Sequence, residues 1–268
     1  MRQLLLLCSL LAAASAAHAQ KPAWLAELAP PALGKHPRLT PTAVDFQVSW
    51  KGAIHSGAVT IVFDPPNANK PGQFVVKSDA QSQGIAAGLF PYEHHFWSEL
   101  HRDTLRPRLF YAVETDAKEV TTTTNRYSST RVGCTESNKN LETGALTTES
   151  PSFNSAWAHD IFSAMLFIRS QPLVAGDKLV LVVMPFKNPY LLRVQVVGRE
   201  VHHQLNTIKL SVSMQKIDRT TLALKAYKKL NRSATLWLSD DADRIPVELR
   251  AEVFIGDVRA TLTDRRKL

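Results

Sequence analysis

Along most of the chain, apolar and polar residues alternate with the period of two that gives a β-strand one buried and one wetted face. Val44, Phe46, Val48 and Trp50 alternate with Asp45, Gln47 and Ser49, and Ile208, Leu210, Val212 and Met214 with Lys209, Ser211, Ser213 and Gln215. Ile245, Val247, Leu249, Ala251 and Val253 repeat the pattern up to Gly256, and Val258, Ala260 and Leu262 run back as a last hairpin arm. Further strands are expected at 54–63, ended by Pro65-Pro66, and at 73–78, 190–201 and 233–238. Residues 110–124 and 126–135, rich in Thr, Val and Tyr, read as hairpin strands. The near-continuous apolar run 178–184, entered through Gly176-Asp177, suggests a strand covered on both faces. Residues 81–89, with Gly84 and Gly88, fit a short helix or a loop, and the polar stretch 138–150 reads as a loop.

The period changes clearly at one place. Ile161, Met165 and Ile168 fall at i, i+4 and i+7, with Phe162 and Leu166 widening the stripe, so residues 160–169 are expected to form a helix. Asp160 suits its N-cap, Arg169 its last turn, and Pro172 stops it. About three turns with so broad an apolar face must pack on something, and the strands on either side supply it. The expected fold is therefore mainly β: a single curled antiparallel sheet, a half-barrel or barrel-like meander, packed on one main α-helix.

Arg2, the apolar run Leu4 to Leu11 and the small residues ending Ala17-His18-Ala19 describe a cleavable signal peptide, residues 1–19, cut after Ala19. The run is too short for a membrane span, and Cys8 lies inside it rather than after it. A loose Pro/Ala-rich leader (20–42), with a helical turn near Trp24 to Leu28, and a single β-rich domain (43–268) complete the division. The mature chain would have no transmembrane segment and would be periplasmic or secreted. It would keep Cys134 alone, so no internal disulfide is open to it. The chain has 32 basic and 24 acidic side chains; losing Arg2 leaves 31 against 24, a net +7. That excess is spread out except at Arg265-Arg266-Lys267, which reads as a basic tail on a solvated surface. Attraction to anionic lipid head groups or envelope polymers, a peripheral membrane contact, is the sharper alternative. Nothing points to nucleic acid.

Leu105-Arg106-Pro107, His159-Asp160 opening a helix that ends in Arg169, Gly176-Asp177, and Trp237-Leu238-Ser239-Asp240-Asp241 leading to Arg244-Ile245-Pro246-Val247 resemble the bacterial family catalogued as domain of unknown function 3108. The likeness spans roughly residues 44–262 apart from 115–153. It implies an exported envelope protein and brings no activity.

Candidate chemistry is thin. His159-Asp160 would suit an acid/base pair, but adjacent residues at a helix start point apart, and Asp160 has a cap to make. Asp240, Asp241 and Asp243 with Arg244 lack the spacing of a calcium loop and fit a turn in which Asp side chains bond their own backbone. His94-His95, His101 and His202-His203 invite a zinc reading. Neighbours on a strand face opposite ways, however, so each pair would give one ligand, and no metal site or cofactor is expected. There is no G-x-S-x-G elbow, and Cys134 reads as inert packing. Phe90-Pro91-Tyr92 and Phe96-Trp97 would line an apolar groove if they cap the open end of a curled sheet; the plainer reading is core packing. The candidate ligand-binding residues are thus Phe90, Tyr92, Phe96, Trp97, His159, Asp160, Asp240, Asp241 and Arg244.

Beside a bland structural interaction module whose only function is its surface, two functions follow. One is a non-catalytic binding or assembly protein of the cell envelope, holding a lipid or an envelope polymer. The other is an envelope hydrolase acting on a glycan or ester, which requires two of His159, Asp160, Asp240, Asp241 and His203 to meet in one cleft.

Overall fold

The computed structural model describes residues 21–36, 39–66, 71–227, 233–253 and 256–268; the expected signal peptide lies outside them. From one edge, one large sheet runs through β10 (Ala158–His159), β11 (Lys178–Val183), β12 (Tyr190–His202), β13 (Leu205–Ile217), β15 (Ala234–Ser239), β16 (Pro246–Val253) and β17 (Gly256–Lys267). It continues through β1 (Thr42–Trp50), β2 (Ile54–Phe63), β3 (Gln73–Ser82), β4 (Tyr92–His101), β5 (Pro107–Asp116), β6 (Glu119–Tyr127), β7 (Arg131–Asn140) and β9 (Ser152–Asn154). Two short strands, β8 (Leu146–Glu149) and β14 (Leu224–Ala226), flank β7 and β13. Among the described residues every pairing is antiparallel except the two-residue β10–β11 contact. The helices are α1 (Gly84–Leu89) and α2 (Ile161–Ser170).

The ladder does not close, yet its two ends are tied. The segment 152–159 pairs with β7 through β9 and with β11 through β10. Asn125 Nδ2 and Tyr127 Oη donate to the Met184 carbonyl at 2.8 and 2.6 Å, joining β6 to the chain just after β11. Burial of Tyr127 pushes its phenol well above the usual range, so it stays a donor.

The curl encloses α2. Asp160 caps it: its carboxylate accepts from the Ser163 amide at 2.7 Å, and Ser163 Oγ accepts from the Asp160 amide at 2.9 Å. Phe162 and Leu166, one turn apart, pack with Val44, Phe46, Phe63, Phe74, Leu100 and Phe110 of the β1–β5 face. Ala164, Phe167 and Ile168 pack with Leu181, Val183, Val194, Ile208 and Leu210 of β11–β13. Ile161, expected in the stripe, is instead on the exposed side. The helix is covered nearly all round because the sheet wraps it rather than lying beneath it. Val180 and Val182, on the other face of β11, meet Trp24, Val132 and Phe153, so this strand is covered on both sides.

Several boundaries differ from the alternation reading. The β5–β6 turn falls at 117–118, where the Asp116 carboxylate accepts from the Lys118 and Glu119 amides, and Asn125 is buried mid-strand. Residues 138–150 are not one loop: β7 runs to Asn140 and β8 pairs back on it. All four β8 residues are exposed, so no apolar alternation marks it; backbone pairing and a Ser137–Thr148 hydroxyl bond of 2.9 Å hold it. The described part of the leader, 21–36 and 39–42, is held against the domain by specific contacts. Trp24 is buried with its indole N–H on the Leu222 carbonyl at 3.0 Å, within a 3-10 turn at Ala23–Glu27. Gly34 crosses the end of α2 so closely that a Cβ there would overlap the Ser170 carbonyl. The basic tail is the end of β17: Arg265 pairs with Asp241 and Asp243, Arg266 with Asp45 and Asp264, and Lys267 with Asp243.

Candidate binding site

The inner face of β2 and β3 tapers along the strands. On β2 it carries Phe63, Ile61, Val59 and Gly57 in turn, and on β3 Phe74, Val76, Ser78, Ala80 and Ser82. Where the side chains become small, the space between the walls is unfilled, leaving a hollow of about 650 Å³. Val48, Val59, Ala80 and Val258 form its walls, and α1 lies over one side through Ile85 and Leu89. Its rim is built of apolar side chains left in solvent: Trp50, Ile54, Ile85, Leu89, Phe90 and Tyr92. Ile85, Leu89 and Phe90 are 74, 67 and 68% exposed, so among the described residues little covers the apolar side of α1 beyond the half-buried Ala86. A volume of this size lies within the range of about 300–1,000 Å³ typical of small-molecule sites.

Ser49, Ser56, Gln81 and Ser82 also border the hollow, and two of its lining residues, His94 and Tyr92, belong to a polar chain that continues into the walls. Ser78 Oγ lies 3.1 Å from His94 Nε2, His94 Nδ1 lies 3.5 Å from Tyr92 Oη, and Tyr92 Oη donates to Glu114 at 2.7 Å. Burial lowers His94 to about 4, so the ring is neutral at physiological pH. A consistent assignment has Ser78 donating to Nε2 and Nδ1–H donating to the Tyr92 oxygen, so every donor points toward Glu114. The His94 ring stacks on Phe96, 3.9 Å between centroids, and Phe96 belongs to the packed core. The lining therefore offers apolar surface and a neutral imidazole.

The other candidates lie elsewhere. Trp97 faces the outside of β4 beneath the Lys77 ammonium, because neighbours on a strand point opposite ways. His159 is buried against Phe167, lowered to about 4 by burial and then by Arg106, with Nδ1 unpartnered among the described residues. Asp160, raised by burial, accepts from Ser98 Oγ at 2.6 Å besides its cap. Asp240, Asp241 and Arg244 lie beyond the opposite end of α2. Asp240 pairs with Arg199 at 2.8 Å. Asp241 accepts from the Asp243 and Arg244 amides and from Ser239 Oγ, each at 2.9 Å. Burial alone would raise Asp241, but these donors and Arg265 outweigh it and hold it at about 2.

This turn is a latch on the helix. Arg169, fully buried, donates to the Asp243 carbonyl at 2.6 Å, to that of His36 at 2.8 Å and to that of Ala242 at 3.3 Å. Arg244 donates back to the carbonyls of Arg169, Gln171 and Pro172, the open end of α2. None of His159, Asp160, Asp240, Asp241 and His203 is bonded to another of the five, so the cleft that the hydrolase reading requires is not assembled. Cys134 is buried and its thiol pushed up to about 11.

One expectation about histidines is overturned. His202 and His203 both reach Glu248 Oε2, at 3.1 and 2.6 Å. His203 and Gln204 form the two-residue β12–β13 turn, both with left-handed φ (+48° and +62°), and the reversal swings His203 to the side of His202. His94, His95 and His101 do stay apart: His95, on the outer face, bridges Asp79 and Glu93.

Against known proteins, a family described as protein of unknown function (DUF3108) matches residues 45–263. The chain belongs to this family. No curated protein matches the sequence. A DUF3108 chain of this shape is similar to a β-barrel-like protein of the DUF1849 family from Brucella abortus. The identity is 8%, the TM-score 0.54, and 86% of this chain and 99% of that one are covered, a likeness of fold alone. Two others align less well. A protein with a YmcC-like fold from Bacteroides fragilis gives 9% identity, a TM-score of 0.37 and coverage of 88% and 100%. The lipoprotein LppX of Mycobacterium tuberculosis gives 11%, 0.25, 85% and 88%. No helix among the described residues is long and apolar enough to cross a membrane.

The residues that sequence reasoning missed are the small ones. Gly57, Ala80 and Ser82 make the hollow, and Trp50, Ile54, Ile85 and Leu89 ring it. The available signal was an inner-face taper from Phe to Gly on β2 and from Phe to Ser on β3, beside an all-apolar six-residue segment.

Proposed function

We propose that this protein is an exported, non-catalytic binding protein of the cell envelope that holds an apolar chain, such as the acyl part of a lipid, in the hollow between β1–β4 and α1. The hollow itself carries this reading: about 650 Å³ walled by aliphatic side chains and ringed by six exposed apolar ones. Leaving that rim in water forgoes roughly 25 cal/mol for each Å² of apolar area, which an apolar occupant recovers. The neutral Ser78–His94–Tyr92 chain gives a polar end of ligand one place to bond. The signal-peptide pattern at residues 1–19 supports export, and the rim is the surface through which a chain would be exchanged with a membrane.

The test is native mass spectrometry of the protein purified from its own envelope fraction. A bound mass of one lipid per chain, released on denaturation and identified as acyl-containing, supports the reading. A chain that carries no lipid from its envelope and takes up none from added vesicles contradicts it.

A further inference from the structure

We infer that His202, His203 and Glu248 form a binding site for a single first-row divalent transition ion of the zinc type, remote in function from the apolar hollow. The three side chains come from the β12–β13 turn and from β16, and each offers one ligand atom, all lying within 4.8 Å of one another. Two imidazoles and one carboxylate are a donor set that binds zinc and its neighbours, with remaining positions left to water or a small ligand.

The set is held before any ion arrives. Glu248 is buried, and Arg250 occupies its other oxygen at 2.8 Å, which leaves Oε2 facing the two histidines. The His202 ring is stacked on Trp237, 4.1 Å between centroids and 9° between planes, and the Trp237 indole N–H is anchored on Glu200 at 2.8 Å. His203 is fixed by its place in the two-residue turn, yet its side chain is about half exposed, giving an ion a way in. Ligand atoms around a tetrahedral zinc stand about 3.3 Å apart, so a retreat of under about 1 Å of each imidazole from Glu248, now at 3.1 and 2.6 Å, brings the two His–Glu spacings to that value.

The surrounding charge decides which cation fits. Lys209 and Arg250 balance Glu200 and Glu248, so no net negative field draws in a hard cation. Calcium and magnesium, which need several oxygen ligands, are poorly served; zinc gains from the two nitrogens. An ion here would cross-link the β12–β13 turn to β16.

The experiment uses the tag-free mature chain, stripped with a chelator and titrated with zinc chloride by calorimetry, with stoichiometry read by native mass spectrometry. One zinc per chain is expected, with magnesium and calcium at the same concentrations showing no uptake. His203→Ala, on an exposed turn, is expected to fold and to bind at least tenfold more weakly; Glu248→Gln tests the buried ligand separately. In the native chain zinc raises the melting temperature, and in His203→Ala it does not. Failure of the native chain to bind at about 0.1 mM zinc, an affinity too weak to matter, overturns the assignment. So does undiminished binding in both variants, which would place the ion elsewhere, for example at His95 with Asp79 and Glu93.

Discussion

At one end of the curled sheet the inner positions carry Phe63, Phe74, Leu100 and Phe110 against Phe162 and Leu166 of α2. Along the same strands at the other end stand Gly57, Ala80 and Ser82, with a hollow of about 650 Å³ between the walls. The period-two alternation is the same in both regions and the strand pairing is continuous. Within the sheet, side-chain size separates the core from the cavity, because a well-packed interior needs volume as well as apolarity. The two ends also differ in how they are closed. The packed end is locked by Arg169 and Arg244 exchanging six backbone contacts across the α2 terminus. Among the described residues the hollow end has α1, six residues with no side-chain cap and no buried residue.

That contrast breaks first at Arg169. Arg169→Met removes a fully buried guanidinium and its bonds to three backbone carbonyls, and is expected to cost about 3–5 kcal/mol in chemical denaturation. A loss under about 1 kcal/mol would mean that the latch does not hold the packed end.

Acid sharpens it next. His159 sits near 4 in the fold against about 6.5 unfolded. Between those values the unfolded chain takes up a proton that the folded one refuses, so stability is complete above about pH 6.5 and falls toward pH 4, by about 3 kcal/mol from this ring. Asp160, raised in the fold, works in the opposite direction and offsets part of that loss. His94, partly exposed, adds a smaller loss in the same direction as His159. The slope of stability against pH is expected to flatten in His159→Gln; an unchanged slope would contradict the burial argument.

Asp160→Ala removes the α2 cap and strands Ser98 Oγ, for an expected loss of about 2 kcal/mol in the same assay. At the hollow end, Ile85→Ser and Leu89→Ser are expected to change stability by less than about 0.5 kcal/mol while weakening retention of an apolar probe, since both side chains stand mostly in solvent. A large destabilisation there would make α1 part of the core.

The sheet, its curl, the lone plugging helix with its Asp160 cap, and the doubly covered strand at 178–183 were legible because each rests on periodicity over several residues. What escaped has a local cause in each case. β8 has no buried side chain, and β4 hides its alternation because Tyr92, His94 and Phe96 inside face Glu93, His95 and Trp97 outside, with aromatic or titratable groups on both faces. Phe90 and Tyr92, read from their aromaticity as candidates for a groove, stand exposed at the rim of the hollow. The groove exists, however, because of glycine, alanine and serine at inner positions, and absence of volume has no period. The His202–His203 convergence was hidden by a turn that reverses the strand between them, where the alternation rule no longer holds.

The most direct measurement is binding of a fluorescent long-chain fatty acid to the mature protein and to Ala80→Trp, which fills the hollow from β3. The native chain is expected to bind one probe per chain saturably, and Ala80→Trp at least tenfold more weakly while keeping its melting temperature. Equal binding by the two proteins, or none by the native one, would contradict a hollow made to hold an apolar chain.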